Sequence, residues 1–166
     1  MPKVDLDTAP RSKGSDYPAP LHEEFAERVR IRLGDAVGLT SMGVNLTTLP
    51  PGARSSLRHW HEVEDEMVFV LSGTLTLIDD YGETLIGPGE AAGFPGGVAN
   101  AHHFFNHGTE DVTLLEMGTR PREDRCHYAD HDLVAHDDDG TTWYARHDGT
   151  RLTKAVTRFQ GAEPPK

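Results

Sequence analysis

A chain of 166 residues is one domain's worth of sequence, and its 27 acidic against 16 basic side chains (net charge −11) exclude the electropositive surface that nucleic acid requires. It has no run of Lys and Arg and no stretch near the roughly 20 apolar residues that cross a bilayer; its start is polar and proline-rich, unlike a signal peptide or membrane anchor. The single cysteine, Cys126, excludes an internal disulfide and makes a reducing compartment, the cytoplasm, the default expectation.

In chain order, residues 1–20 predict an irregular arm, broken by Pro2, Pro10, Pro18 and Pro20. The mixed segment 23–29 predicts a turn or two of helix. Residues 43–49 alternate in polarity and stop at Pro50-Pro51-Gly52, as a strand stops at a turn. Residues 67–71 form a continuous apolar run, the pattern of a strand buried on both faces. Ser72-Gly73 separates it from a strand at 74–78, and Asp79-Asp80-Tyr81-Gly82 makes a hairpin turn into 83–86. Gly87-Pro88-Gly89 turns again ahead of 90–94. Phe104-Phe105 and residues 112–117 give two more strands around a turn at 106–109. Beyond Gly118 the texture is less regular; residues 143–153 predict one further hairpin with Asp148-Gly149 in its turn, and residues 163–166 a loose end. At least seven short strands with no long helix between them define an all-β sandwich or barrel.

Ten histidines are many for this length, and the informative ones are His59 and His61. In a strand, side chains at i and i+2 share a face, so both imidazoles enter one interior. Glu66 opens the apolar strand five residues later, and a bend at Val63-Glu64 brings its carboxylate back opposite them. Two nitrogens and an oxygen converging inside a barrel make a divalent-metal site with open positions. For an isolated His-x-His the bland alternative, exposed histidines beside a solvated acidic turn, is the better reading.

The wider spacing changes the balance. Gly52 lies seven residues before His59, Glu66 five after His61, and Gly73 seven after Glu66; this resembles the first motif of the cupins. Gly89, Pro95, Gly97, His102 and Asn106 resemble the second. The resemblance spans residues 52–106 and implies a double-stranded β-helix (jelly-roll) barrel. Its core is expected at 41–120, after an arm and lead-in at 1–40 and before an extension at 121–166 within the same domain. It further implies one divalent metal ion (Fe, Mn, Zn or Ni) held by His59, His61, Glu66 and His102, a small-molecule substrate or ligand, and a homodimer. The gap before the second-motif histidine is longer than usual, with Asn100 at the usual distance. The offset to Asn106 and strand parity favour His102 over His103, and a one-residue slip would exchange the two.

Other residues have tamer expectations. Val68, Val70, Phe94 and Phe104 share the inward parity and line the pocket, whereas Trp60 faces out. Arg54 and Arg58 read as surface charges paired with the acidic excess. The cluster His127, His131, His136, Asp137, Asp138, Asp139, Gly140 superficially resembles a calcium loop, but Ala135 and Arg146 stand where its first and last acids belong; it reads as a solvated loop. Cys126 has no base partner in the sequence, so thiol catalysis is not expected. Three functions follow. A dioxygenase-type enzyme ranks just ahead of a non-oxidative isomerase, decarboxylase or lyase, for which Glu62 and Glu64 are candidate bases by proximity alone. A non-catalytic binding or sensing module is third.

Overall fold

The computed structural model describes residues 3–154, 156 and 157. Nearly every element is a short antiparallel strand: β1 (Arg11–Lys13), β2 (Val29–Arg32), β3 (Met42–Leu49), β4 (His59–His61), β5 (Glu66–Ser72), β6 (Leu75–Asp79), β7 (Gly82–Ile86), β8 (Ala91–Phe94), β9 (His103–Phe105), β10 (Val112–Thr119), β11 (Glu123–Tyr128), β12 (Val134–Asp138), β13 (Thr141–Ala145) and β14 (Val156–Thr157). A 3-10 turn (Leu21–Phe25) and a one-turn helix, α1 (Leu33–Ala36), complete it. One sheet runs β1-β2-β3-β10-β5-β8. A second, β14-β13-β12-β11-β4, meets a third, β7-β6-β9, where His59 and His102 exchange backbone hydrogen bonds of 3.1 and 2.8 Å. Together they form the expected all-β jelly-roll barrel.

Two apolar clusters hold the sheets. Leu49, Val68, Val70, Leu75, Ile86, Phe104, Val112 and Leu114 fill one end of the barrel. Phe25, Leu57, Cys126, Tyr128, Leu133, Ala135 and Tyr144 join the second sheet to the N-terminal segment, with Tyr17 packed edge-on to Phe25, Tyr128 and Tyr144. Between the clusters the inner face of the first sheet turns polar. Register aligns Arg32, Asn45, Glu116 and Val68 in one row, and Arg30, Thr47, Leu114 and Val70 in the next.

The turns are where glycine is needed. Gly73 has φ +77°, and a Cβ there would lie 2.7 Å from Val112, so no other residue closes the β5–β6 corner without strain. Asn106 is fully buried and structural: its amide donates to the carbonyls of Leu49 and Glu110, and its side-chain oxygen accepts from Gly108.

Several expectations are corrected. The arm contains β1, because the Pro10 carbonyl still accepts from Arg32 and the residues that follow pair with β2. The helical reading of 23–29 holds only as the 3-10 turn; from Val29 the chain is a strand whose inward residues are charged. Strand β5 is buried on one face only, with Met67 49% and Leu71 44% exposed, since among the described residues no layer covers the other. The cluster read as a solvated loop is largely β12 and a two-residue turn at Asp139 (φ 52°) and Gly140 (φ 80°) into β13. There His136 stacks on Trp143, and Asp138 and Asp139 pair with Arg125 and Arg122. The 143–153 hairpin narrows to β13 and a single bridge, Ala145 to Arg151, and residues 163–166 lie outside the described residues.

Candidate metal centre

Four side chains named from the sequence meet on the inner wall. Strand β4 presents His59 and His61 on one face; β5 begins with Glu66; His102 arrives through the His59 bridge. The Nε2 atoms of His59, His61 and His102 stand 3.3, 3.6 and 3.2 Å from Glu66 Oε2. That oxygen is buried and accepts no hydrogen bond. Three imidazoles aimed at one orphaned carboxylate oxygen at such separations fit donors around a common ion. With metal–ligand bonds of about 2.1 Å, neighbouring ligands stand ~3.0 Å apart in an octahedron and ~3.4 Å in a tetrahedron. The residues present therefore suit a divalent ion with positions open to a small molecule. His103, next in sequence, faces away from the cluster, its environment set by Arg54, Asp130 and Arg58.

The orientation of each imidazole has a cause. His59 Nδ1 lies 2.9 Å from the Leu57 carbonyl, and donation to it leaves Nε2 free to face Glu66. His61 Nδ1 lies 2.5 Å from Asp124 Oδ2, while the other Asp124 oxygen accepts from the Val63 amide at 2.8 Å. Phe94 stacks on His102 with ring centroids 3.4 Å apart. Asp124, 3% exposed, was not singled out from the sequence. Its signal was alternation: Asp124, Cys126 and Tyr128 are buried along β11, while Glu123, Arg125 and His127 are not. Pairing of β11 with β4 sets Cys126 opposite His61, and its sulfur lies within 4.8 Å of donor nitrogens of His59 and His61, so the thiol has imidazole neighbours that the sequence did not reveal.

The electrostatics centre on Glu66. Burial alone would raise its carboxyl, but the His59 and His61 imidazoles hold it well below the usual range. Burial opposes charge on His59 and His61 too, yet the neighbouring Cys126 side chain and the Glu66 carboxylate outweigh it and both rise, His61 further with help from Asp124. Burial prevails at His102, which is lowered.

The cluster lines a cavity of about 320 Å³. Val68 and Phe104 supply apolar wall, and Lys13, Arg28, Arg30, Arg32 and Arg120 also line it: five of the chain's 16 basic residues. Glu64 lines it as well, whereas Glu62 faces His127 at 2.8 Å. Trp60 stacks on His127 on the outer side. Arg58 engages Asp130 and Asp80, and Arg54 engages Glu24, the surface pairings expected of them.

The profile of the Cupin domain family matches residues 45–118. A sugar phosphate isomerase of the cupin superfamily from Silicibacter pomeroyi is 45% identical, with a TM-score of 0.87 over 92% of this chain and 97% of its own. A protein of Acidithiobacillus ferrooxidans, provisionally given the same activity, is 35% identical (TM-score 0.72; 86% of this chain, 90% of its own). A predicted oxalate decarboxylase from Thermotoga maritima shares the fold at 21% identity (TM-score 0.57; 72% of this chain, 99% of its own). No curated protein sequence matches the chain. Among the described residues no helix is long and apolar enough to cross a membrane.

Proposed function

We propose, on the premise that the chain belongs to the cupin superfamily, that it is a metal-dependent isomerase of a phosphorylated sugar, with one divalent ion held by His59, His61, Glu66 and His102. The observation carrying this is the cluster itself, three imidazoles around one buried carboxylate oxygen at the wall of a cavity lined by both basic and acidic side chains. The choice of a phosphorylated sugar is supported by the two relatives at 45% and 35% identity described, the second provisionally, as sugar phosphate isomerases, and by Arg28, a lining guanidinium that donates only to backbone carbonyls. A bound divalent ion would act as a Lewis acid on a carbonyl or hydroxyl oxygen of the sugar.

Isomerisation moves a proton between adjacent carbons, so a base must face the substrate. Glu64 takes that role. It lines the cavity, with Oε2 3.8 Å from His61 Nδ1. Glu62, turned to His127, does not. Val68 and Phe104 keep water from the apolar side.

The same donor set suits oxygen chemistry, so one experiment must separate the two. Protein loaded in turn with Fe(II), Mn(II), Zn(II) or Ni(II) is incubated with aldose and ketose phosphates while NMR follows interconversion and an electrode follows O₂. Interconversion without O₂ uptake supports the isomerase; substrate loss matched by O₂ uptake replaces it with a dioxygenase. No interconversion with any metal sinks it, and ligands that raise the melting temperature but are never transformed indicate a binding module.

We further propose a homodimer that pairs through the outer face of the first sheet. Met67, Phe69, Leu115, Met117, Leu46 and Ile31 form an apolar surface there that this chain leaves partly exposed, the kind of patch a second copy covers.

A further inference from the structure

We propose that Arg28 and Ser15 form the subsite that holds the substrate's phosphate, in the same cavity as the metal-ligating cluster; the identity of the anion rests on the isomerase reading above. Arg28 is only 4% exposed, yet among the described residues no carboxylate lies within ion-pair distance of it. Its two terminal nitrogens donate to the backbone carbonyls of Ser55 and Gly14, and its Nε–H has no partner. Ser15 Oγ, next to the Gly14 carbonyl that Arg28 grips, is likewise buried and without a hydrogen bond. Both residues line the cavity.

Buried guanidinium groups are normally neutralised in place, because a charge out of water without a counter-charge is destabilising. The carboxylate whose charge reaches Arg28, Glu116, is engaged elsewhere: Oε2 accepts from Arg30 Nε at 2.7 Å and from Thr47 Oγ1 at 2.8 Å. Burial, aided by the Arg30 charge, lowers Arg28 to about 10, the mark of a cation short of an anion. Each of these two cavity-lining residues thus carries an unused donor, one of them on this positive charge, the pair of groups that takes a phosphate oxygen. Contacts also join it to the cluster. Arg28 binds the Ser55 carbonyl, Ser55 Oγ lies 3.3 Å from Ser56 Oγ, and Ser56 Oγ lies 3.3 Å from His59 Nδ1. A sugar phosphate would thus have its phosphate at Arg28 and its reacting carbons toward His59 and Glu66.

The probe is inorganic phosphate, titrated calorimetrically into the chelator-treated full chain, so that no ion held by the histidines attracts it. Wild-type protein binds; Arg28→Gln weakens binding at least tenfold and Ser15→Ala several-fold. Unchanged phosphate affinity in a folded Arg28→Gln variant overturns the subsite. Should that variant fail to fold, the Arg28 Nε–Hε resonance of the wild-type chain decides: a shift on titration supports the subsite, and no shift at saturating phosphate overturns it. The subsite and the isomerase fail separately. Arg28-dependent phosphate binding without turnover of any sugar phosphate keeps the subsite and removes the isomerase; turnover with an unchanged KM in Arg28→Gln does the reverse.

Discussion

Replacing Asp124 by Asn tests the centre through a residue that need not touch the ion. The aspartate accepts from His61 Nδ1–H at 2.5 Å and from the Val63 amide at 2.8 Å, with only 1% of its side chain exposed. An asparagine cannot do both. With its oxygen toward Val63, its NH₂ faces His61 and demands an acceptor at Nδ1; the imidazole proton then moves to Nε2, the nitrogen that faces Glu66. With the amide reversed, His61 keeps its tautomer, but the Val63 N–H meets a donor and goes unpaired in a buried site. Partners that orient a ligating histidine are typically worth 10–100-fold in metal affinity, which is about 1.4–2.7 kcal/mol. The assay is competition between the protein and a chromogenic chelator for Zn(II) or Co(II), with Asp130→Asn, which removes a surface partner of Arg58, as control. An Asp124→Asn variant that keeps its circular dichroism spectrum and binds metal within twofold of wild type refutes this account of His61.

Three further outcomes are expected. Gly73→Ala, which forces a side chain into a φ of +77° and against Val112, lowers stability by about 2–3 kcal/mol in urea denaturation without altering metal affinity. Burial, with Arg54 and Arg58 adding to it against Asp130, lowers His103 to about 4; the unfolded chain takes up a proton near 6.5 that the folded chain refuses. Stability therefore falls as pH drops from about 6.5 to 4, by about 1–3 kcal/mol for this group, and His103→Gln flattens that part of the stability curve; a slope identical to wild type would count against it. The proposed dimer predicts that the wild-type protein scatters light as twice the 18.3 kDa chain and that Leu115→Glu, on the outer sheet face, scatters as the single chain with its metal centre unchanged.

Which parts of this molecule could be read from its sequence follows from what lines each strand. The elements β5 to β8 and β10 were legible because their inner residues are mostly apolar and their corners carry Gly, Pro or Asp, and β3 because Val44 and Leu46 on its outer face alternate with Asn45 and Thr47 on its inner one. His59, His61 and Glu66 were legible because strand parity and short spacing bring them together, and parity also turned His102 rather than His103 inward. Strand β2 was hidden because its Val-Arg-Ile-Arg alternation is only four residues long and follows directly on a segment that reads as helix. Val29, Arg30, Ile31 and Arg32 put arginine where leucine would signal an inner face, since this strand borders a polar chamber. β12 was masked similarly by His136, Asp137 and Asp138. Asp124 meets His61 across 63 positions of chain, through a pairing of β11 with β4 that no local pattern announces. The openness of the outer sheet face was equally invisible, because a run such as Met67 to Leu71 looks the same whether its far side meets a layer of protein or none.

The four residues around Glu66 Oε2 all fall inside the stretch 45–118 that matches the Cupin domain, whereas Ser15, Arg28, Asp124 and Cys126 fall outside it, on the segments before and after. On the proposed reading, reactivity and choice are written on different stretches of chain. Changes in the flanks would then alter which molecule enters and how firmly the ion is gripped while the metal-binding middle stays intact. A chimera carrying this middle between the flanks of a distant homologue should keep its metal and change its preferred anion.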